Sequence, residues 1–319
     1  MDLINEYNRN DNYEIDGQLL SILLKDNTSN MNIIWATDNY ADYGFGYQFD
    51  DQISIMAVTG KNQNIIKPRI DKSKLEQSKR IREKAEVFTP SWICNKQNNL
   101  VDRSWFGRKN VFNTEHKKTW ITSEEKIVFP ENKTWQDYVQ ENRLEITCGE
   151  GPYLASRYDT VTGKIIPVGD RIGLLDRKLR IVSENIDEEE DWIKWALIAL
   201  KTIYGYDWQG DNILLARKNL FNTFKDYYIK KFGISPTFII MKNVAEIISW
   251  NIWQMDGLKF VVPNSCNNKT TIEHTLFDEE IIIEICEGCK TNNPYKHIGS
   301  YCYIMNWKTE KKEKFVSQI

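Results

Sequence analysis

Three groups of residues in this sequence have the types and the spacing to do chemistry. The first is Cys286-Glu-Gly-Cys289, followed by His297 and Cys302, a C-x2-C-x7-H-x4-C pattern. Three thiolates and an imidazole suit a tetrahedral zinc ion, and Gly288 permits the tight turn between the first two ligands. Such an ion would staple a short insert that has too few apolar residues for a core of its own. The alternative is a set of unlinked buried thiols with one surface histidine. A redox Cys-x-x-Cys is disfavoured, because nothing around it reads as a thioredoxin unit. Cys94, Cys266, His116 and His274 show no comparable spacing and read as structural.

The second group is a set of strand-end motifs. Glu145-Ile-Thr-Cys148-Gly149-Glu150-Gly151-Pro-Tyr-Leu154 reads as a strand running into a Gly-x-Gly turn. Glycine leaves room for a ligand to approach the backbone. The third glycine of the dinucleotide fingerprint is missing, which lowers NAD or FAD. Ile203-Tyr-Gly-Tyr-Asp207 is a strand closed by a carboxylate that could accept hydrogen bonds from two ribose hydroxyls, or simply cap the next helix. At Asp256, after Asn251-Ile-Trp-Gln-Met, a third strand end offers an acceptor for an adenine amino group, or an ordinary turn. Ahead of these lies Phe88-Thr89-Pro90-Ser91, a turn into a helix whose free N–H groups could receive a ligand carboxylate.

Taken in order, these motifs resemble the adenine-N6 DNA methyltransferases of restriction–modification systems over about residues 70–265. Residues 84–92 are similar to that family's Phe-Thr-Pro motif. Residues 145–154 resemble its Asp/Glu-Pro-x-Cys-Gly-x-Gly-x-Phe-Leu motif. Residues 203–220 resemble its Ile-Tyr-Gly-x-Asp strand and Ala-x-x-Asn-Leu helix. The resemblance implies a Rossmann-like class I α/β methyltransferase fold that binds S-adenosylmethionine. By implication Phe88, Thr89, Cys148, Gly149, Gly151, Asp207 and Asp256 line the cofactor site, with Pro90 and Glu145 beside them. One departure is the 56-residue separation of Gly151 from Asp207, longer than the family's usual spacing. Loops lengthen at little thermodynamic cost.

The third group concerns catalysis. Adenine N6 is a poor nucleophile, and a methylase must flip the base out and hold it by stacking and hydrogen bonds at its edge. The family does this with Asn/Asp-Pro-Pro-Tyr/Phe, which this sequence lacks. The nearest match, Asn292-Asn293-Pro294-Tyr295, has Asn in place of the first Pro and reads as a turn or as a degenerate catalytic motif. We therefore expect a partner chain to supply catalysis and most DNA recognition, since the sequence stops soon after the third cofactor motif. The main alternative is a non-catalytic methyltransferase-fold scaffold or regulatory subunit of a restriction complex. RNA or protein acceptors also stay open. A cytosine-C5 methylase is disfavoured, because no Cys follows a Pro.

The elements that must position these residues can also be read. Residues 1–70 suggest a small β-rich or mixed segment, with apolar runs at 33–37 and 53–58. Residues 71–86 suggest a solvated helix carrying six Lys or Arg. Residues 155–195 read as an insertion, with a hairpin near Thr162-Gly163 and an acidic run at Asp187–Asp191. Ile213, Ala216, Leu220, Phe224 and Tyr227 recur at helical spacing, with Asp211 as N-cap and Gly233 as stop. A helix–strand unit follows over 241–262. Alternating strands and helices predict a mostly parallel sheet with helices on both faces. The expected divisions are 1–70, a cofactor-binding domain over 71–265, and a knuckle-like 266–319.

The chain has 319 residues, 41% of them apolar, enough for a sizeable core. No apolar run approaches the ~18 residues of a membrane helix. The N-terminus lacks a basic flank before an apolar stretch, so a cytoplasmic protein with reduced cysteines is expected. The net charge of −3 gives no support for an autonomous DNA-binding domain.

Overall fold

Three short parallel strands form the frame around which the helices are built. The computed structural model describes residues 15–84, 86–267, 269–274 and 279–319. β3 (Arg143–Ile146), β4 (Ile203–Asp207) and β5 (Ile252–Gln254) lie side by side in that order, with Glu145 opposite Gly205 and Tyr206 opposite Trp253. Parallel neighbours need crossovers. α5 (Leu174–Asn185) and α6 (Glu189–Lys201) supply the first, and α7 (Gly210–Phe232) and α8 (Phe238–Asn251) the second. The fold is mixed α/β. The stretch expected as an insertion thus holds two crossover helices, and its acidic residues 189–191 occupy the first turn of α6, where they favour the helix dipole. The turn near Gly163 survives as a single bridge between Tyr158 and Ile165.

Strand pleat divides the apolar residues between two cores. Ile203 and Ile252 face the helices, together with Leu175, Ala196, Leu220 and Ile248. Tyr206 and Trp253 point the other way, onto Met255, Cys302 and Phe315. The second face is therefore covered by the C-terminal segment, not by the helix layer that sequence periodicity predicts. That segment contributes the hairpin β8 (Tyr303–Asn306) and β9 (Lys311–Lys314). Leu144 and Ile146, on the same face of β3, remain 46% and 62% exposed. Among the described residues β3 pairs only with β4.

Residues 15–70 form no strand. They hold α1 (Gly17–Leu24), 3-10 turns at Asp38–Tyr43, Gly60–Asn62 and Arg69–Asp71, and isolated bridges, one joining Ile34 to Gln52. The two apolar runs meet through irregular antiparallel backbone bonds, Trp35 N–H to the Asp51 carbonyl at 3.1 Å and Ile53 N–H to the Ile33 carbonyl at 2.8 Å, without forming a regular strand pair. Leu20, Leu23, Trp35 and Ile53 are at most 2% exposed and share the main core, each burial contributing roughly 2 kcal/mol. The chain is also tied by polar contacts: Gln254 in β5 accepts from the Ile34 N–H at 2.9 Å, and Arg217 in α7 donates to the carbonyls of Leu23 and Lys25. The boundary expected at residue 70 does not coincide with a break in this core.

α2 (Lys74–Lys84) follows, then α3 (Ser91–Phe106), a short hairpin β1 (Asn113–His116) and β2 (Thr119–Thr122), and α4 (Trp135–Gln140), which starts on a Thr134–Asp137 capping box. Beyond β5, the hairpin β6 (Lys269–His274) and β7 (Glu279–Glu284) leads to the short α9 (Glu287–Thr291). No helix among the described residues is long and apolar enough to cross a membrane.

Candidate functional site

The carboxyl ends of β3 and β4 open into a cavity of about 720 Å3. Crevices at this end of parallel strands are where α/β folds bind ligands. Of the residues expected to hold a cofactor, Phe88, Thr89, Glu145, Cys148, Gly149 and Asp207 line it. The sequence brings them together by local geometry. Thr147, Gly149 and Gly151 all have positive φ, so the chain turns sharply out of β3. The Gly149 N–H donates to Asp207 Oδ2 at 3.0 Å, and the Gln209 N–H to Asp207 Oδ1 at 2.9 Å. The acid ending β4 thereby clamps the turn after β3.

Gly151, Pro90 and Asp256 lie elsewhere. A Cβ on Gly151 would meet Ala216 Cβ and Leu220 Cδ1 at 3.6 Å, while Asn219 Nδ2 donates to the Glu150 carbonyl at 2.9 Å. Ala216, Asn219 and Leu220 are the Ala-x-x-Asn-Leu residues, and their work here is to support the glycine turn from below. Pro90 and Ser91 face a larger open groove of about 1280 Å3. The Ser91 N–H, expected to meet a ligand carboxylate, already donates to Asp159 Oδ2 at 2.7 Å. Burial raises the Asp159 carboxyl, but that bond and others from Thr162 outweigh it and hold it below its ordinary value. Asp256 caps its own turn, accepting from Leu258 and Lys259 N–H at 3.0 and 3.2 Å. The cavity takes Asn264 from this stretch instead.

The charge of the cavity follows from its lining. Asp38, Glu86, Glu145 and Asp207 contribute to it, and among the described residues no Lys, Arg or His does. Burial raises the Asp207 carboxyl to about 6 against hydrogen bonds that lower it. Burial likewise holds Glu145 well above its ordinary value. Phe49, Phe88, Tyr153 and Trp208 add aromatic surface. Five buried side-chain atoms on cavity residues have no hydrogen-bond partner among the described residues: Thr37 Oγ1, Glu86 Oε2, Glu145 Oε2, Asn212 Oδ1 and Asn264 Nδ2. Buried polar groups are costly when unpaired, so they mark where a polar ligand would be held. Most of these residues carried no motif, although Trp208, Gln209 and Asn212 follow Asp207 directly and open α7.

Behind the wall lies an ionic cluster. Asp211 was expected as a helix cap; Gln209 takes that position instead. Asp211 Oδ2 accepts from Tyr40 at 2.6 Å, Arg80 at 2.5 Å and Lys72 at 3.3 Å. Arg80 also reaches Glu86 Oε1 at 2.9 Å. The helix over 74–84 is thus solvated on one side only, with Arg80 buried.

The cysteine pattern closes into a cluster with one change. Cys286, Cys289 and His297 converge as expected, but the fourth member is Cys266, and the four ligand atoms lie within 4.8 Å of one another. Cys302 is fully buried in the second core, its thiol directed at the Gln254 carbonyl at 3.5 Å. Asn292–Tyr295 form the loop between Cys289 and His297. Asn292 has positive φ, Asn293 Oδ1 accepts from the Tyr295 N–H at 2.9 Å, and Tyr295 is exposed. None of the four lines the cavity. A fold-back bringing Cys266 beside Cys286 has no local signal, which is why spacing selected Cys302.

Comparisons of the chain with known protein families, with curated proteins and with solved structures returned no match.

Proposed function

We propose that the chain is the S-adenosylmethionine-binding component of an adenine-N6 DNA methyltransferase, built on a Rossmann-like methyltransferase fold. The observation that carries the cofactor reading is the cavity's charge. Acidic side chains and, among the described residues, no cation line it; burial favours the uncharged form of Glu145 and Arg80 pairs with Glu86, so Asp38 and Asp207 are the carboxylates that disfavour the phosphates of a dinucleotide or ATP and suit a nucleoside that carries a sulfonium and an ammonium group. Asp207 offers a buried acceptor for ribose hydroxyls, the aromatic residues offer stacking surface, and the unpaired atoms of Glu86, Glu145, Asn212 and Asn264 offer further partners. When bound, this cofactor supplies an electrophilic methyl group. The chain's own residues bind and orient it.

The DNA acceptor rests on the motif resemblance. Catalysis by a partner chain is supported by two features: the sequence has no Asn/Asp-Pro-Pro-aromatic motif, and among the described residues β3 keeps an unpaired outer edge, with Leu144 and Ile146 exposed. Unpaired apolar edges are surfaces that another chain can extend. The metal cluster is read as structural zinc, since three thiols and an imidazole are its common ligand set.

Calorimetric titration of the full chain with S-adenosylmethionine tests the reading. Saturable binding near one site per chain is expected, and Asp207→Ala should abolish it. Tight binding of ATP or NAD with none of S-adenosylmethionine would overturn it.

A further inference from the structure

The metal cluster and the cavity are joined by a very short piece of chain. Cys266 is a member of the cluster, and Asn264, two residues earlier, is part of the cavity wall. Asn264 is held in the left-handed region at φ +61°, which Asn tolerates better than most residues but does not choose freely. Its Nδ2 is buried and donates to nothing among the described residues. An amide on a residue that lines a polar cavity, fixed in a restricted conformation and with its donor unused, has the properties of a ligand contact.

The geometry of the cluster fits an ion closely. With Zn–S near 2.3 Å and Zn–N near 2.0 Å, a tetrahedral site requires S···S separations of about 3.8 Å and S···N of about 3.6 Å. Cys266 Sγ lies 3.4 Å from Cys286 Sγ and 3.7 Å from Cys289 Sγ. His297 Nδ1 lies 3.5, 3.6 and 3.6 Å from the three sulfurs. Without an ion nothing strong holds Cys266 there, because thiol hydrogen bonds are weak. Within the strap, Ser265 donates to the Val262 carbonyl through its N–H at 3.1 Å and its Oγ at 2.6 Å, and Asn267 Nδ2 donates to the Asn264 carbonyl at 2.7 Å; these bonds shape the strap but do not tie it to the rest of the chain. Ser265 Oγ accepts from the Ser300 N–H at 3.1 Å, and the Val262 N–H donates to the Ser300 carbonyl at 2.8 Å. Gly299 approaches so closely that a Cβ there would lie 2.9 Å from Cys266 Cβ.

We infer that zinc bound by Cys266, Cys286, Cys289 and His297 fixes the strap over residues 262–267 and so positions the Asn264 amide as a hydrogen-bond donor to the ligand in the cavity. Metal occupancy then sets ligand affinity from outside the cavity. The ligand half of this inference rests on the S-adenosylmethionine reading; the positioning half does not. Asn264 is a positioning target and binding residue, while the four cluster residues act through it.

The test uses the full chain with three readouts: zinc content by elemental analysis, hydrogen exchange over residues 257–267, and S-adenosylmethionine affinity by calorimetry. Two variants are compared. Cys289→Ser removes the exposed member of the cluster, so no buried gap is left, and Asn264→Ala removes the donor alone. The wild type should hold one zinc per chain. Cys289→Ser should lose the ion, exchange faster over 257–267 and bind the cofactor about tenfold more weakly, the loss expected of one buried hydrogen bond. Asn264→Ala should keep its zinc and lose a similar factor, and the double variant should lose no more than either alone. A zinc-free Cys289→Ser with unchanged exchange and unchanged affinity would overturn the inference, as would an Asn264→Ala chain that binds like wild type. If the wild type binds no S-adenosylmethionine, that reading fails separately. Exchange then decides the positioning half: faster exchange on metal loss upholds it, and no change overturns it.

Discussion

Asp207 has two tasks that favour opposite protonation states. Burial raises its carboxyl from the ordinary 3.8 to about 6, so the folded chain holds this proton more tightly than the unfolded chain does. Its contribution to folding stability is therefore full below 3.8 and is lost as pH rises toward 6. Ligand binding runs the other way, because hydroxyl donors need the ionised carboxylate. We expect S-adenosylmethionine affinity to be flat from pH 7 to 8 and to fall below about pH 6, by up to tenfold per unit. Titrations at pH 5, 6, 7 and 8 check this, and an affinity that does not change between pH 5 and 7 would exclude Asp207 as an ionised acceptor. The motif around Asp207 was legible in the sequence because it is local: a strand, a glycine turn and a helix start follow one another within short windows. Asp38 and Asn264 were not, since no local pattern brings residues 226 positions apart to one wall.

At the scale of elements, the strand–helix alternation and the long amphipathic α7 could be read from period and caps, down to Gly233, which ends the helix at φ +72°. What could not be read was how the N-terminal segment is used. Its apolar runs look like strands because β-branched residues favour them, yet they bridge each other only irregularly, through Trp35 N–H to the Asp51 carbonyl and Ile53 N–H to the Ile33 carbonyl, and side chains of other elements take part of the backbone between. Trp208 Nε1 donates to the Ala36 carbonyl and Gln254 Nε2 to the Ile34 carbonyl. Gly210 shows how tight this packing is. A Cβ there would sit 2.0 Å from the Ile34 carbonyl oxygen and 2.9 Å from Ile53 Cδ1. A backbone atom cannot swing aside as a flexible side chain can, so Gly210→Ala must push residues 33–37 off the start of α7. We expect a loss of about 3 kcal/mol in urea unfolding, at the upper end for overpacking a core, with faster exchange in residues 33–37. A loss under about 0.5 kcal/mol would mean that the segment is not docked on α7.

Across the whole molecule, the net charge of −3 conceals a sorting of signs that only the fold reveals. The cavity gathers acids, and the cations that balance them lie one layer back. Asp211 is the centre of that layer. Burial would raise its carboxyl, but Arg80 and Lys72 outweigh burial and hold it well below its ordinary value. Arg80 therefore joins α2, Tyr40 of the N-terminal segment and Asp211 of α7, and it orients Glu86 in the cavity wall. Removing one partner of a buried ion pair leaves an uncompensated charge, which costs more than the intact pair contributes. Arg80→Ala should lower stability at pH 7 by about 3–5 kcal/mol, far more than any exposed lysine of the same helix. The pH dependence gives a second reading. A depressed carboxylate contributes stability above its unfolded value and loses it as pH falls through the folded value. In the wild type Asp211 therefore resists acid until well below 3.8. Without Arg80 its folded value rises, so acid unfolding should begin at higher pH. Circular dichroism from pH 7 to 2 on both proteins measures this, with Lys79→Ala as the exposed control. An Arg80→Ala midpoint equal to that of the control would show that Lys72 alone holds the layer together, and the cavity's acids would then need a different counterweight.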